Sequence, residues 1–258
     1  MADGLDPEVA ARAKAWRTAT LAAACDVMEP WAHGTVARAT RYPSYFDFNL
    51  VRVEDEPGMS VNELVAFADD ALAGLIHRRV DLDVVEAAER HRAQFESLGW
   101  KSLRLLWMRL EPPPSLLGVG GVEEVPYDDV HDLRLTWYAE DHPDQIAGGY
   151  HDQAREVAML RGARVLATHD DAGRPIAFAQ LEHHGDGAEI TQVYVHPDHR
   201  GRGQGTAMTK AAIATAGDVR DLWIAADDED RPKELYARLG FRPAWTSMEI
   251  TRWPGPGD

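Results

Sequence analysis

An α/β fold laid out as two related halves is predicted by three features of this 258-residue chain. Strand-like apolar runs alternate with helix-length segments through the second half. Three consecutive prolines, Pro112, Pro113 and Pro114, interrupt the chain near its middle. An aromatic-x-x-Leu-Gly-aromatic pattern occurs twice, from Phe95 to Trp100 and from Tyr236 to Phe241, each time followed by an apolar strand that includes Met108 or Met248. Proline fits neither a helix interior nor a central strand, so the boundary falls at 111–115 and separates a first domain, 1–111, from a second, 116–258.

In the first half, the Ala-rich stretch 19–28 reads as a helix carrying Cys25 as a small buried residue, 46–53 as a strand and 61–75 as a helix. Between the last two lies Glu54-Asp55-Glu56-Pro57-Gly58-Met59-Ser60, acidic and with one glycine, which would repel a pyrophosphate. In the second half, 116–125 reads as a strand and 127–139 and 144–161 as helices. The strand 164–169 is joined through the turn Asp170-Asp171-Ala172-Gly173 to an antiparallel partner at 175–183. Another turn, Gly185-Asp186-Gly187, leads to the strand 189–195. A glycine loop then opens a helix, 206–216, stopped by Gly217. A strand at 221–226, a helix at 231–239 and a strand at 242–251 complete the order.

Composition narrows the partners. A formal charge of −16 would repel nucleic acid and anionic membranes and would attract a cationic amine. No run approaches the 18 apolar residues of a membrane span, and the acidic N-terminus lacks the features of a secretory signal, so a cytoplasmic protein is expected. Cys25 is the one cysteine, which leaves no intramolecular disulfide and no cysteine-based metal cluster.

The loop Arg200-Gly201-Arg202-Gly203-Gln204-Gly205 carries the chemistry. Glycines free the backbone to aim N–H groups of Gly201, Arg202, Gly203, Gln204, Gly205 and Thr206 at one phosphate, and the helix that follows adds its dipole. Arg200 and Arg202 would add positive charge. A Walker loop would need Lys and then Ser or Thr after its last glycine, but Thr206-Ala207-Met208 follows Gly205. A dinucleotide fingerprint would need G-x-G-x-x-G, but the spacing here is G-x-G-x-G. What fits is R/Q-x-x-G-x-G/A, filled by Arg200, Gly203 and Gly205. Preceded by Val195-His196-Pro197 and followed by Leu235-Tyr236-Ala237-Arg238-Leu239-Gly240-Phe241, it resembles the acetyl-CoA pyrophosphate loop of the GNAT N-acetyltransferases.

That resemblance implies a mixed, mainly antiparallel sheet flanked by helices, with central strands splayed to admit the pantetheine arm, in a tandem arrangement whose first half is degenerate and does not bind CoA in the usual manner. It further implies acetyl-CoA as co-substrate with no metal, direct transfer to a primary amine, and pairing of the pantetheine amides with the backbone of Val193, Tyr194 and Val195. The acceptor expected in the acidic field is a small cationic molecule. A protein lysine or N-terminal amine, or a non-catalytic acetyl-CoA sensor, are the alternatives. The first half is expected to wall the acceptor cleft or support a homodimer.

Two side chains are the catalytic candidates. Glu189 stands 11 positions before Arg200, which resembles the general-base glutamate of the histone-acetyltransferase branch. Strand alternation is expected to set it on one face with Thr191, Val193 and Val195. Glu182, His183 and His184 are reserves on the neighbouring strand. Tyr236 matches the position at which relatives place a tyrosine near the CoA sulfur, where a neutral phenol can protonate the leaving thiolate. Phe95 has no hydroxyl at the equivalent place in the first half. Glu229 stands where relatives often have a cofactor-contacting Asn, so the run Asp227-Asp228-Glu229-Asp230 is expected to face solvent or attract the acceptor. His196-Pro197-Asp198-His199 is expected to form the turn into the glycine loop, not a metal site.

Overall fold

The computed structural model describes residues 5–111, 120–142 and 148–253. The first half runs α1 (Pro7–Ala24), β1 (Val27–Trp31), β2 (Gly34–Arg38), β3 (Asn49–Val53), α2 (Val61–Ala71), β4 (Arg78–Leu82), α3 (Val85–Ser97) and β5 (Lys101–Leu110). The second runs β6 (Glu123–Val125), α4 (His131–Asp141), α5 (Tyr150–Leu160), β7 (Arg164–His169), β8 (Pro175–His184), β9 (Gly187–Val195), α6 (Gln204–Ala216), β10 (Asp221–Asp227), α7 (Pro232–Arg238) and β11 (Phe241–Arg252).

Among the described residues, eleven strands join one sheet in the order β1-β2-β3-β4-β11-β5-β10-β9-β8-β7-β6. The sheet is mixed and mainly antiparallel, with β3 parallel to β4 and β9 parallel to β10. Each half therefore repeats one pattern: two antiparallel strands, a third, a helix crossing over to a parallel fourth, a further helix and a last strand. The last strands are exchanged. β5 leaves the first half to pair with β10, and β11 leaves the second half to pair with β4. The two also run antiparallel to each other from Phe241↔Leu110 to Thr251↔Lys101. The register slips once, between Pro243 and Trp245, at a bulge beside the one proline of β11, which has no N–H to give the ladder.

Helices α2, α3, α6 and α7 cover one face. Under α2 and α3 lie Leu64, Val80, Phe95 and Met248; under α6 and α7 lie Met108, Met208, Ile224 and Tyr236. The other face carries α1, α4 and α5. There α1 crosses both halves, packing Trp16 against Trp107, Trp223 and Trp245. Ion pairs strap it down: Arg17 to Asp81 (3.1 Å) and Lys14 to Asp83 (4.0 Å) at β4, and Arg12 to Asp221 (2.9 Å) at β10. Asp83 also meets the buried Arg52 at 2.8 Å. Removing one partner of such a buried pair strands the other charge and costs about 3–5 kcal/mol.

Four readings change, the first being that the helix expected from 127 begins with a 3₁₀ turn, Tyr127–Val130, and is α-helix only from His131. The helix expected at 19–28 is the end of α1, which begins at Pro7 under an Asp6 cap and stops at Ala24; Cys25 follows it as the C-cap, its thiol pushed up to about 12 by burial. The strand expected from Phe46 begins instead with a 3₁₀ turn, Phe46–Phe48, and is strand only from Asn49. The helix expected to reach 75 ends at Ala71. The strand expected at 116–125 is seen at its end as β6, and the start of the helix expected at 144–161 also falls partly outside the described residues.

Candidate active site

β9 and β10 pair only from Asp221↔Gly187 to Ile224↔Ile190. Beyond that point β10 stays with β5 through Asp227, whereas β9 stays with β8 through Val195, so the two parallel strands part and leave a gap in the sheet. A bulge sits at the point of parting: Gln180 pairs with Gln192 and Leu181 with Ile190, leaving Thr191 as the extra residue. Its hydroxyl is buried without a hydrogen-bond partner.

The bulge overturns the expected alternation. Val193 and Val195 pack into the core beneath α6, whereas Tyr194 faces α4 beside Phe178, and Glu189 lies on that same α1/α4 face opposite Glu182. Glu189 thus shares no face with Val193 and Val195. One inserted residue reverses the alternation downstream, and nothing in the local sequence marks it.

The gap runs toward the glycine loop. After β9, Pro197–His199 form a 3₁₀ turn whose amide at Asp198 donates to His196 Nδ1. Gly201 and Gly203 then take left-handed backbone angles, φ +74 and +83, that a Cβ would strain. Gly203 caps α6 with no side chain on the first-turn amides of Gln204, Gly205 and Thr206. Arg202 is exposed. Arg200 donates to the Val195 carbonyl (3.0 Å) and to Glu140 Oε2 (2.6 Å), which also accepts the Tyr194 hydroxyl. The Arg200 charge is therefore shared with α4, and burial together with Glu140 pushes the Tyr194 phenol up to about 12. Glu140 carried no sequence signal.

Glu189 Oε2 accepts the indole N–H of Trp16 at 2.7 Å. Across the ladder, Glu182 is 4% exposed; burial raises its pKa, opposed by Arg161 at 2.7 Å and reinforced by Glu189. Gln180 donates to Glu182 at 2.7 Å, and the buried Arg134 donates to Gln180 at 2.8 Å and to Gln192. Of the reserve residues, His183 points to the other face and meets the Ala216 carbonyl at 3.1 Å, while His184 stacks edge-on against Trp16.

Tyr236 lies on the opposite side of the sheet, 7% exposed, edge-on to Phe241, with burial pushing its phenol up to about 12. Among the described residues its hydroxyl makes no hydrogen bond. Glu189, opposite Trp223 in the last paired stretch before the gap, and Tyr236 thus stand on opposite faces of the sheet.

The acidic run at the end of β10 is exposed at Glu229 and Asp230, as expected of a solvent-facing segment, and is tied to neighbouring cations. Arg92 of α3 grips Glu229 with two bonds, 2.6 and 2.9 Å, and Arg104 of β5 meets Asp228 at 2.8 Å alongside Lys233. The compensating arginines come from the first half, which no local reading of 227–230 reveals. Among the described residues no group of three or more His, Cys, Asp or Glu could hold a metal ion.

The family described as acetyltransferase (GNAT) domain matches residues 161–243, from the end of α5 to the start of β11. This part of the chain is a GNAT domain. Curated relatives include a mycothiol acetyltransferase of Nocardia farcinica, 40% identical over 34% of this chain and 28% of the relative, and one of Clavibacter michiganensis, 30% identical over 55% and 47%. The chain spans less than half the length of these relatives. The fold extends over nearly the whole chain in solved structures of low identity. A conserved protein of unknown function from Staphylococcus epidermidis covers 90% of this chain and 95% of its own at TM-score 0.66 and 14% identity. A GCN5-related N-acetyltransferase from Kribbella flavida covers 96% of both at TM-score 0.56 and 19% identity. The mixed sheet with flanking helices is thus the GNAT fold, and no described helix is long and apolar enough to cross a membrane.

Proposed function

We propose that this protein is an acetyl-CoA-dependent N-acetyltransferase acting on a primary amine of a small cationic molecule in the cytoplasm, with its working site in the second half. The observation that carries the reading is the gap between β9 and β10 leading away from the uncapped start of α6. The amides of Gly201 to Thr206 would hold the pyrophosphate, and the free edge of β9 at Val193, Tyr194 and Val195 would pair with the pantetheine amides. The Val195 carbonyl already accepts Arg200, so Val193 and Tyr194 carry most of that pairing.

In the reaction, the amine nitrogen attacks the thioester carbonyl, the C–N bond forms and the C–S bond breaks. Glu189 takes the amine proton, directly or through water, and the thiolate receives a proton from Tyr236, which stays neutral at working pH because its phenol is pushed up to about 12. Amides along β9 polarise the carbonyl. The acidic field of the chain and the Glu189 carboxylate favour a cationic acceptor. The name mycothiol acetyltransferase carried by both relatives described above supports an acetyl transfer.

In the first half, β3 and β4 stay paired to Val53↔Leu82 and one step further, where the Asp83 amide donates to the Val53 carbonyl at 2.8 Å. This supports one acetyl-CoA per chain. Calorimetric titration with acetyl-CoA and CoA tests the reading: one site per chain is expected, followed by turnover in a screen of small amines against lysine peptides. Two sites would overturn the silent first half, binding without turnover of any amine would make the protein a sensor, and no binding would remove the acyltransferase reading.

A further inference from the structure

We infer that Trp16 of α1 is a positioning residue for the Glu189 carboxylate, so that the first half completes the proton-accepting site of the second. This rests on the reading of Glu189 as the base.

The indole is aimed at this contact. Trp16 is 8% exposed, and its N–H donates to Glu189 Oε2 at 2.7 Å, the length of a charge-assisted bond. Packing alone does not require it: the indole N–H groups of the buried Trp100 and Trp107 have no partner. The approach is also built in from below. A methyl at Gly187 would come within 2.7 Å of the Trp16 ring, so a glycine two residues before Glu189 is what lets the ring reach its carboxylate. Arg12 on the previous turn of α1, bonded to Asp221 at 2.9 Å, fixes the helix against β10.

Three elements bring neighbours to this carboxylate. From β8, Glu182 faces Glu189 across the ladder, its own charge shared with Arg161 at 2.7 Å. His184 of β8 lies against the far edge of Trp16. From β10 the neighbour is Trp223, with Asp221 taken up by Arg12. From α1 the Trp16 N–H favours the ionised form and fixes the direction of the free oxygen. Without that donor the carboxylate loses an interaction that favours its charged form and the contact that aims it.

The test is the pH profile of kcat/KM for Trp16→Phe, which keeps the aromatic packing, and for Gly187→Ala, whose methyl displaces the indole, each beside Glu189→Gln. The expected result is an acid limb moved upward by about one pH unit in both Trp16→Phe and Gly187→Ala with acetyl-CoA affinity unchanged. An unmoved limb in both, with the limb abolished in Glu189→Gln, overturns the role of Trp16 and leaves the base in place. A limb and rate unaffected by Glu189→Gln removes the base reading itself. Should either variant fold poorly, the indole ¹⁵N–¹H resonances of the unsubstituted chain decide: one should titrate along the acid limb and stop doing so in Glu189→Gln, and the absence of such a resonance overturns the proposal.

Discussion

Helices α2 and α6 hold the same station in the two halves, each crossing from one strand to its parallel neighbour, but their first turns are filled in opposite ways. At α2 the Ser60 hydroxyl accepts from the Glu63 amide and the Glu63 carboxylate accepts from Ser60, a closed capping box that uses the donors an anion would need. At α6 a left-handed glycine caps the helix and no side chain occupies the donors. The strands follow suit: β3 and β4 remain zipped, whereas β9 and β10 part at Ile190 beside a bulge. The proposed anion site would thus be made by leaving out side chains and hydrogen bonds that the sister half supplies.

The comparison can be broken most severely at the proposed base. Glu189→Gln is expected to lower kcat by about 10²–10⁴-fold with acetyl-CoA binding retained, as steady-state kinetics beside calorimetry will show. Filling the second half as the first is filled comes next: Gln204→Glu puts a carboxylate on the first turn of α6 at nearly constant shape, where it competes for the dipole and repels the pyrophosphate, and should weaken acetyl-CoA about tenfold. Tyr236→Phe gives the second half the phenyl that Phe95 already provides in the first, and an approximately tenfold fall in kcat without change in affinity is expected. Because that phenol is pushed up to about 12, it remains protonated below that pH, and no alkaline limb from it should appear below about pH 11. The smallest effect belongs to the first half. Ser60→Ala opens the capping box and should lower Tm by about 2–4 °C in a thermal melt, leaving acetyl-CoA affinity unchanged.

Much of the second half was legible because its signals are local. The glycine loop, the stop at Gly217, the paired strands around Asp170–Gly173 and the Leu-Gly-aromatic motif all mark positions where backbone angle or alternation is set within a few residues. The first half hid three of its strands, β1, β2 and β4. β1 is a half-exposed edge strand that contains Pro30, and β4 buries Arg79 and Asp81, charged residues that satisfy each other at 2.8 Å and mimic a solvated segment when read in sequence. The bulge at Thr191 was equally hidden, and with it the face on which Glu189 stands.

By itself the sequence determined the glycine loop that opens α6, its family likeness and most elements of the second half, because each depends on residue type and short spacing. Tertiary structure alone decided the exchange of β5 and β11, the arginines of the first half that neutralise Asp228 and Glu229, and the reach of Trp16 across 173 positions to Glu189. These contacts join residues far apart in the chain, and their energy depends on where a whole helix or strand comes to rest, which no periodicity encodes.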